Sequence, residues 1–235
     1  MTVYHDEHLI TWFGYASTRL ETPDGRVVYL DPGRYGVLDG HEPGDADLVC
    51  VTHDHHYDSA AIRQVAGEDV SVVVFEGVDP GRIDRAVDPV AELPGTVVRI
   101  AEGDRYTAAG VTVEATPAYN DPKGPRTRED GTPIHPPGFG VGYHLDLGAT
   151  TAFWPGDSDA LPAHESIEAS LLLPPIGGSF TMDRHEAATL AERMAPDLVL
   201  PIHYNTFDAL ETEPREFAAD VAEAGVPVVL ETPAL

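Results

Sequence analysis

The sequence predicts a mixed α/β domain in which antiparallel strand pairing is prominent. Short apolar segments recur along most of the chain, turn sequences separate them, and the clearest helical spacing comes in the last third. The chain has 235 residues, enough for one such domain or two small ones. Because neither a repeat nor a low-complexity linker divides it, we predict a single domain over 1–235.

The predicted strands follow one another with turn signals between them. Segments 8–13 and 26–30 flank the turn sequence Pro23-Asp24-Gly25 and are expected to form an antiparallel pair. Segments 141–147 and 150–154 are expected to form a hairpin. The remaining predicted strands cover 47–52, 71–75, 96–100, 110–116, 169–173, 198–202 and 226–230.

Helices are predicted at three places. Asp183 is a suitable N-cap for a helix whose apolar residues recur at i, i+3, i+4 and i+7, namely Ala187, Leu190, Ala191 and Met194. Two further helices are predicted over 59–66 and 213–224. The longest irregular segment, 121–140, is rich in Pro and Gly, and we interpret it as a loop over a functional site.

The composition is strongly acidic. Forty Asp and Glu face 14 Lys and Arg, for a formal charge of −26, and Lys123 is the only lysine. This balance resembles that of haloarchaeal proteins and argues against binding to nucleic-acid phosphates, which needs clustered basic residues. A single cysteine, Cys50, excludes an internal disulfide. With neither a signal peptide nor a membrane-spanning apolar run in the sequence, we expect a cytoplasmic protein without membrane partners.

Potential metal ligands are concentrated directly after the predicted strand at 47–52. The segment THDHHYD contains His53, His55 and His56, with Asp58 at its end. His53 and His55 are two positions apart, so on an extended segment their side chains point the same way. Neutral imidazole and carboxylate are common ligands of zinc and related metals. The segment therefore predicts a metal site.

Two later strands also end in residues that could bind a metal. Asp157 follows Gly156 after the strand at 150–154, and His203 follows the strand at 198–202. Alone, the Gly-Asp signal is equally compatible with an ordinary turn, and a histidine in the position of His203 is more commonly a buried structural residue. Three strand ends that each carry a His or Asp favour one shared site. Trp154 is interpreted as a core residue.

Together these motifs resemble the hydrolases of the metallo-β-lactamase fold. That family carries HxHxDH after one strand, Gly-Asp after a later strand and a late His. The segments LDPG at 30–33, PPIGGSFTM at 174–182 and PIHYNTF at 201–207 are similar to a branch related to L-ascorbate-6-phosphate lactonase. The resemblance implies a four-layer αββα sandwich with metals at one edge, between the two sheets.

The resemblance also implies a ligand set. His53, His55 and Asp157 would form one metal site, and Asp58, Asp157 and His203 the second, with Asp157 bridging. Asp58 would also orient or deprotonate the attacking water, as the catalytic carboxylate. One or two divalent ions are implied; zinc is the first expectation, and His and carboxylate ligands also suit manganese or iron.

Departures from the family pattern leave alternatives open. The family's Asp and last His fall on Tyr57 and Asp58 without a gap, or on Asp58 and Ser59 with one residue inserted. His56 is an additional imidazole without an assigned role. The family's third His would lie near Asn120, so either Asn120 binds through its carbonyl oxygen or His135 contributes from the loop. One metal or an altered pair of metals is compatible with this set.

These expectations combine into a metal-dependent hydrolase that uses a metal-activated water on a small ester, lactone or phosphoester. The alternative is a non-catalytic metal- or ligand-binding protein with the same fold. We keep this alternative because some of the family's usual metal ligands are missing from the sequence. Lys123, Arg126 and Arg128 form the only basic cluster near the predicted site. Among them, Lys123 is the candidate contact for an anionic group of the substrate.

Overall fold

Two β-sheets form the centre of the molecule, and both contribute to one continuous hydrophobic core. The computed structural model describes residues 2–231. The first sheet has seven strands in chain order: β1 (Val3–His5), β2 (His8–Gly14), β3 (Ser17–Glu21), β4 (Val27–Leu30), β5 (Ala46–Val51), β6 (Ala66–Phe75) and β7 (Thr96–Ile100). The mixed α/β class predicted from the sequence is confirmed.

The second sheet has six strands, and its spatial order is β13-β12-β11-β10-β9-β8. They are β8 (Arg105–Ala108), β9 (Val111–Ala118), β10 (Gly140–Asp146), β11 (Thr151–Trp154), β12 (Leu171–Leu172) and β13 (Leu198–Val199). The α-helices within residues 2–231 are α1 (Ser59–Val65), α2 (Arg184–Met194) and α3 (Pro214–Glu223).

In the first sheet, an antiparallel meander from β1 to β4 continues into the parallel strands β4 to β7. The parallel strands are fully buried over VVYL, LVCV and VVVF, as expected for strands covered on both faces. Carboxyl ends of parallel neighbours lie at one edge, so Asp31 after β4 meets Thr52 after β5. Thr52 donates its backbone N–H to the Asp31 carboxylate at 2.8 Å.

In the second sheet, β11, β12 and β13 are parallel, and their carboxyl ends also share an edge. Asp157 follows β11 and His203 follows β13 at this edge. Bonds from the neighbouring β10 join this sheet to the first: the Val141 N–H donates to the Thr52 carbonyl, and the Tyr143 hydroxyl donates to the Val51 carbonyl. The strand ends that carry the candidate ligands therefore lie together between the two sheets.

Most of the predicted elements are present, but two predictions are wrong. Segment 226–230, predicted as a strand, makes only a single bridge, from Val228 to Val199. Asp183 caps α2 through a capping box with Glu186, as its position predicted. The first antiparallel pair was assigned wrongly. Segment 26–30 pairs with β3 rather than with β2, because β3 (STRLE) lies between them. Its polar residues hide the strand from a search for apolar runs.

Candidate metal centre

Five histidines and one aspartate from four chain segments converge where the sheet edges meet. They fall into two groups whose ligand atoms all lie within 4.8 Å of one another. We call the first the inner cluster; it consists of His56, Asp157 and His203. We call the second the outer cluster; it consists of His53, His55, His135 and Asp157.

The inner cluster is closed to solvent. The Nε2 atoms of His56 and His203 lie 3.4 and 3.3 Å from Asp157 Oδ1, and 3.3 Å from each other. His203 has a positive φ of 57°, and its N–H donates to the Tyr15 carbonyl. The Tyr15 ring packs against the rings of both histidines.

The outer cluster borders the surface. Asp157 Oδ2 lies 3.5 Å from His53 Nε2 and 3.6 Å from His135 Nε2. His55 Nδ1 lies 3.2 Å from His135 Nε2. His55 is exposed, whereas the other three side chains are buried. His53 and His55 lie in the same cluster, although the segment between them is a turn and not extended.

Hydrogen bonds fix the tautomers of His53 and His56, because the Nδ1 of each ring carries the proton. Thr52 donates its hydroxyl to Asp31 Oδ2, so its oxygen is left to accept from His53 Nδ1 at 2.9 Å. His56 Nδ1 donates to Asp31 Oδ2 at 2.9 Å. These bonds leave the Nε2 lone pairs of both imidazoles directed into the clusters, as in metal sites whose ligands are oriented by neighbouring carboxylates.

His135 is held by equivalent contacts from the loop at 121–140. Its Nδ1 donates to the Phe180 carbonyl at 3.1 Å, which leaves Nε2 as the free lone pair. Its backbone N–H donates to Asn120 Oδ1, and Asn120 Nδ2 donates to Asp159 and to the Phe180 carbonyl. Asn120 therefore positions His135 instead of joining the cluster.

Asp157 stands on a turn that only glycine permits at its first residue. Gly156 has a φ of 70°, and a Cβ there would lie 2.5 Å from the Val141 carbonyl oxygen. Within residues 2–231, Asp157 Oδ1 and His53 Nε2 are buried atoms without a hydrogen-bond partner. A buried carboxylate oxygen facing bare imidazole nitrogens is costly unless a cation joins them. The residues present therefore fit one divalent ion in each cluster.

Burial sets the protonation of most of these histidines. It lowers the pKa of His53 and His135, and it lowers the pKa of His203 to about 4. At His55, loss of hydration on the ring side that faces the site, together with the neighbouring His135, lowers the pKa to about 4. These imidazoles are neutral near pH 7, which is the form that binds metals.

Asp157 and His56 behave differently because each faces opposite charge. Burial alone would raise the pKa of Asp157, but His203, His56 and His53 outweigh it and the pKa is lowered. Burial alone would lower the pKa of His56, but Asp157 and Asp31 outweigh it and the pKa is raised. Positive charge between the two carboxylates is thus favoured, and this is also what a metal ion would supply.

Asp58, expected to be a metal ligand and the catalytic carboxylate, is used elsewhere. Its Oδ1 accepts the Ala61 N–H as the N-cap of α1, and its Oδ2 accepts the Arg34 N–H. His56, which had no assigned role, takes the place predicted for Asp58 beside Asp157 and His203. The turn after His53 causes this exchange: the N–H groups of His56 and Tyr57 both donate to the His53 carbonyl.

The basic cluster of the loop also lies differently from the expectation. Arg126 is buried in ion pairs with Asp159 and Glu186, and it holds the loop to the body of the protein. Arg128 donates to carbonyls of its own loop, and Lys123 is exposed. The cation that lines the cavity beside the outer cluster is instead Arg34.

This cavity has a volume of about 260 Å³. His55, His135 and Asp157 form one side of it, and aromatic rings including Tyr15, Tyr35 and Phe207 form another. Its volume lies below the ~300–1,000 Å³ typical of ligand pockets. The cavity therefore suits a small molecule placed directly against the outer cluster.

Comparisons with known proteins identify the family of the chain. The profile of the β-lactamase superfamily domain matches residues 9–203. The chain belongs to this superfamily. A UPF0173 metal-dependent hydrolase of Methanopyrus kandleri is 31% identical over 93% of this chain and 94% of its own length, so the chain also belongs to that family of metal-dependent hydrolases.

Solved structures show the same fold. A protein of Parabacteroides distasonis aligns with a TM-score of 0.73 and 23% identity, over 98% of this chain and 97% of its own. A metallo hydrolase of Ignicoccus hospitalis aligns with a TM-score of 0.70 and 22% identity, over 95% of this chain and 94% of its own. In the part of the chain that the structure describes, every helix is too short or too polar to cross a bilayer.

Proposed function

We propose that this metal-dependent hydrolase binds two divalent ions, one in each cluster, and hydrolyses a small ester, lactone or phosphoester. One observation carries the proposal: three imidazoles, each held through Nδ1, direct their Nε2 atoms at a buried aspartate whose Oδ1 accepts no hydrogen bond from residues 2–231. Bound there, the ions would supply Lewis acidity and an activated water.

The residues of the chain would divide the remaining work. Asp157 would contribute one oxygen to each cluster, since Oδ1 faces His56 and His203 while Oδ2 faces His53 and His135. The aromatic wall of the cavity would exclude bulk water from the reacting group. Asp58 has no part in this proposal, because both of its oxygens accept backbone N–H groups.

We assign zinc as the first candidate metal, with manganese or iron as alternatives, because the clusters contain His and Asp without Cys. We also propose a small-molecule substrate, without nucleic-acid or membrane partners, in a saline cytoplasm. The formal charge of −26 supports this, since it disfavours contact with phosphate backbones and anionic lipid. The motifs at 174–182 and 201–207 favour a lactone as the first substrate to test.

The test combines metal content with turnover. Purified protein in molar KCl is loaded with Zn²⁺, Mn²⁺ or Fe²⁺, the bound metal is measured by mass spectrometry, and ester, lactone and phosphoester substrates are screened. We expect two ions per chain and activity against one substrate class. Asp157→Asn should reduce metal affinity and activity by more than the roughly 10–100-fold that is lost with a hydrogen-bond partner of a metal ligand.

Asp45→Asn is the matched control, because Asp45 is a half-buried carboxylate that pairs with Arg19 and belongs to neither cluster. It should leave metal content and turnover unchanged. Full activity in Asp157→Asn would contradict the assignment of Asp157. Two bound ions without turnover of any substrate would support the non-catalytic alternative.

A further inference from the structure

Arg34 is held against the outer cluster by the cluster's own loop. Its guanidinium donates one N–H to the His55 carbonyl at 2.6 Å and another to the Tyr35 hydroxyl at 3.2 Å. Its Cζ lies 4.8 Å from the centre of the Tyr35 ring. A guanidinium has five N–H donors, so three are left for another partner.

The backbone beneath this side chain is also fixed. Arg34 and Tyr35 both have positive φ values, 66° and 54°, which cost energy for residues other than glycine. Gly33 precedes them, and a Cβ there would lie 2.4 Å from Ala61 Cβ. Asp58 Oδ2 accepts the Arg34 N–H. The chain therefore maintains a strained turn that places one guanidinium at the cavity wall.

Arg34 lacks a carboxylate partner despite the acid excess. In residues 2–231, no Asp or Glu oxygen lies within 4 Å of its side-chain nitrogens, whereas Arg126 pairs with both Asp159 and Glu186. The chain has 40 acidic residues, yet the charge of Arg34 is not balanced by an adjacent carboxylate. The charge faces the cavity that Arg34 lines.

A second arginine reinforces this charge. Arg85 donates to the Tyr57 carbonyl, two residues beyond the carbonyl that binds Arg34. Its Nε is buried and has no hydrogen-bond partner among the described residues. Burial lowers the pKa of Arg85, and the positive charge of Arg34 lowers it further, while Asp58 partly offsets the effect. We call Arg34 and Arg85 the arginine pair.

We propose that the arginine pair is a subsite for an oxyanion, so that the substrate is a small ester or lactone carrying a carboxylate or phosphate group. Arg34 contacts the oxyanion and Arg85 adds charge from behind it. The apolar part of the substrate lies on Tyr35 and Phe207, whose rings are 4.9 Å apart. This inference rests on the proposed hydrolase function, because it assigns the scissile group to the outer cluster.

The test measures binding by calorimetry to the full-length, zinc-loaded protein. Benzoate and phenyl phosphate are the probes, and benzamide is the neutral counterpart of benzoate. We expect the anions to bind and benzamide to bind at least tenfold more weakly. Arg34→Gln should weaken anion binding roughly tenfold, as for loss of a charge-assisted contact, and leave benzamide unaffected. The tighter of the two anions identifies the oxyanion.

Further variants separate the roles. Arg34→Lys should recover part of the loss, since it restores the charge without the planar fork. Arg85→Gln should weaken binding by about threefold, as expected for a screened charge that makes no contact. Arg105→Gln, an exposed residue on β8, is the control and should bind like wild type. The Arg34 effect should persist in zinc-free protein, where anion coordination by the metal is absent.

Two results would overturn the subsite. One is equal benzoate affinity in wild type and Arg34→Gln when both show the same melting temperature. The other is loss of binding in Lys123→Gln, which would place the contact on the loop. The two proposals fail separately: Arg34-dependent binding without any turnover refutes only the hydrolase function. Turnover that is indifferent to substrate charge and to Arg34 refutes only the subsite.

Discussion

The inner and outer clusters share Asp157 but hold their histidines in different ways. In the inner cluster, His56 donates to Asp31, a fully buried carboxylate that also accepts from Thr52 and from the Trp154 indole. In the outer cluster, Asp157 is the only carboxylate of the described chain within 4 Å of any ring nitrogen. His55 there is exposed, and His135 comes from a long loop.

The difference indicates two kinds of metal site in one centre. A carboxylate behind an imidazole raises its basicity and fixes its orientation, so the inner cluster is prepared for tight binding. The outer cluster has weaker support and faces the cavity, where a substrate would arrive. We expect the inner ion to be the more tightly bound and the outer ion to be the more easily exchanged.

The largest expected effect separates two neighbouring histidines. His56→Ala should remove the inner ion and reduce the zinc content from two to one, because His56 is one of three inner ligands. His55→Ala should retain the inner ion and only weaken the outer one. Mass spectrometry after dialysis at low free zinc measures both contents. Loss of both ions in His55→Ala would contradict the independence of the inner cluster.

His164, a buried histidine outside both clusters, should affect the stability of the fold and not metal binding. Burial lowers the pKa of His164 to about 4, and its Nε2 donates to the Pro117 carbonyl. Between pH 6.5 and 4 the unfolded chain binds the extra proton, so the free energy of unfolding falls as the pH decreases through this range. The contribution of His164 is full above about pH 6.5 and amounts to roughly 3 kcal/mol.

His164→Gln should remove this part of the pH dependence. Urea unfolding at pH 7 and at pH 4 measures it as the difference between wild type and variant. Adding zinc should leave that difference unchanged, since His164 is not a member of either cluster. Parallel pH profiles in the two proteins would show that His164 does not resist protonation.

The smallest expected effect compares the supports behind the two clusters. Asp31→Asn should weaken the inner zinc site by roughly 10–100-fold, and Asn120→Ala should weaken the outer site by about tenfold or less. Titration against a competing chelator resolves the two constants. Gln64→Ala is the control for Asn120→Ala, because its amide donates to the distant Leu38 and His41 carbonyls. If Asp31→Asn weakened zinc binding more in the outer site than in the inner site, the inner cluster would not be the one that Asp31 supports.

The sequence was informative wherever a ligand follows a strand directly. His53, Asp157 and His203 lie two, three and four residues beyond the ends of β5, β11 and β13, and the sheet topology brings these ends together. Gly156 precedes Asp157, and its positive φ and close approach to the Val141 carbonyl show why glycine is required there. These positions could be predicted because each ligand lies close in sequence to the end of a recognisable strand.

The remaining site residues could not be predicted in this way, because their positions depend on turns and on contacts between residues far apart in sequence. His56 enters the inner cluster because a turn reverses the alternation after His53, and Asp58 is diverted to cap α1. Arg34 reaches the cavity through a strained turn far from the predicted basic cluster. Asp31 was noted only as part of a family motif. A search for acidic residues at the end of the strand beside 47–52 could have found it.

Trp154, predicted as a core residue and confirmed as one, has a consequence for measurement. Its indole N–H donates to Asp31 Oδ2, the oxygen that also holds His56, and its ring centre lies 6.4 Å from that of His56. Indole fluorescence responds to charge and hydrogen bonding at the ring. Emission from Trp154 should therefore change when the inner cluster binds a cation, which gives the protein an intrinsic optical reporter. The other tryptophan, Trp12, packs on Tyr204 and provides the reference signal.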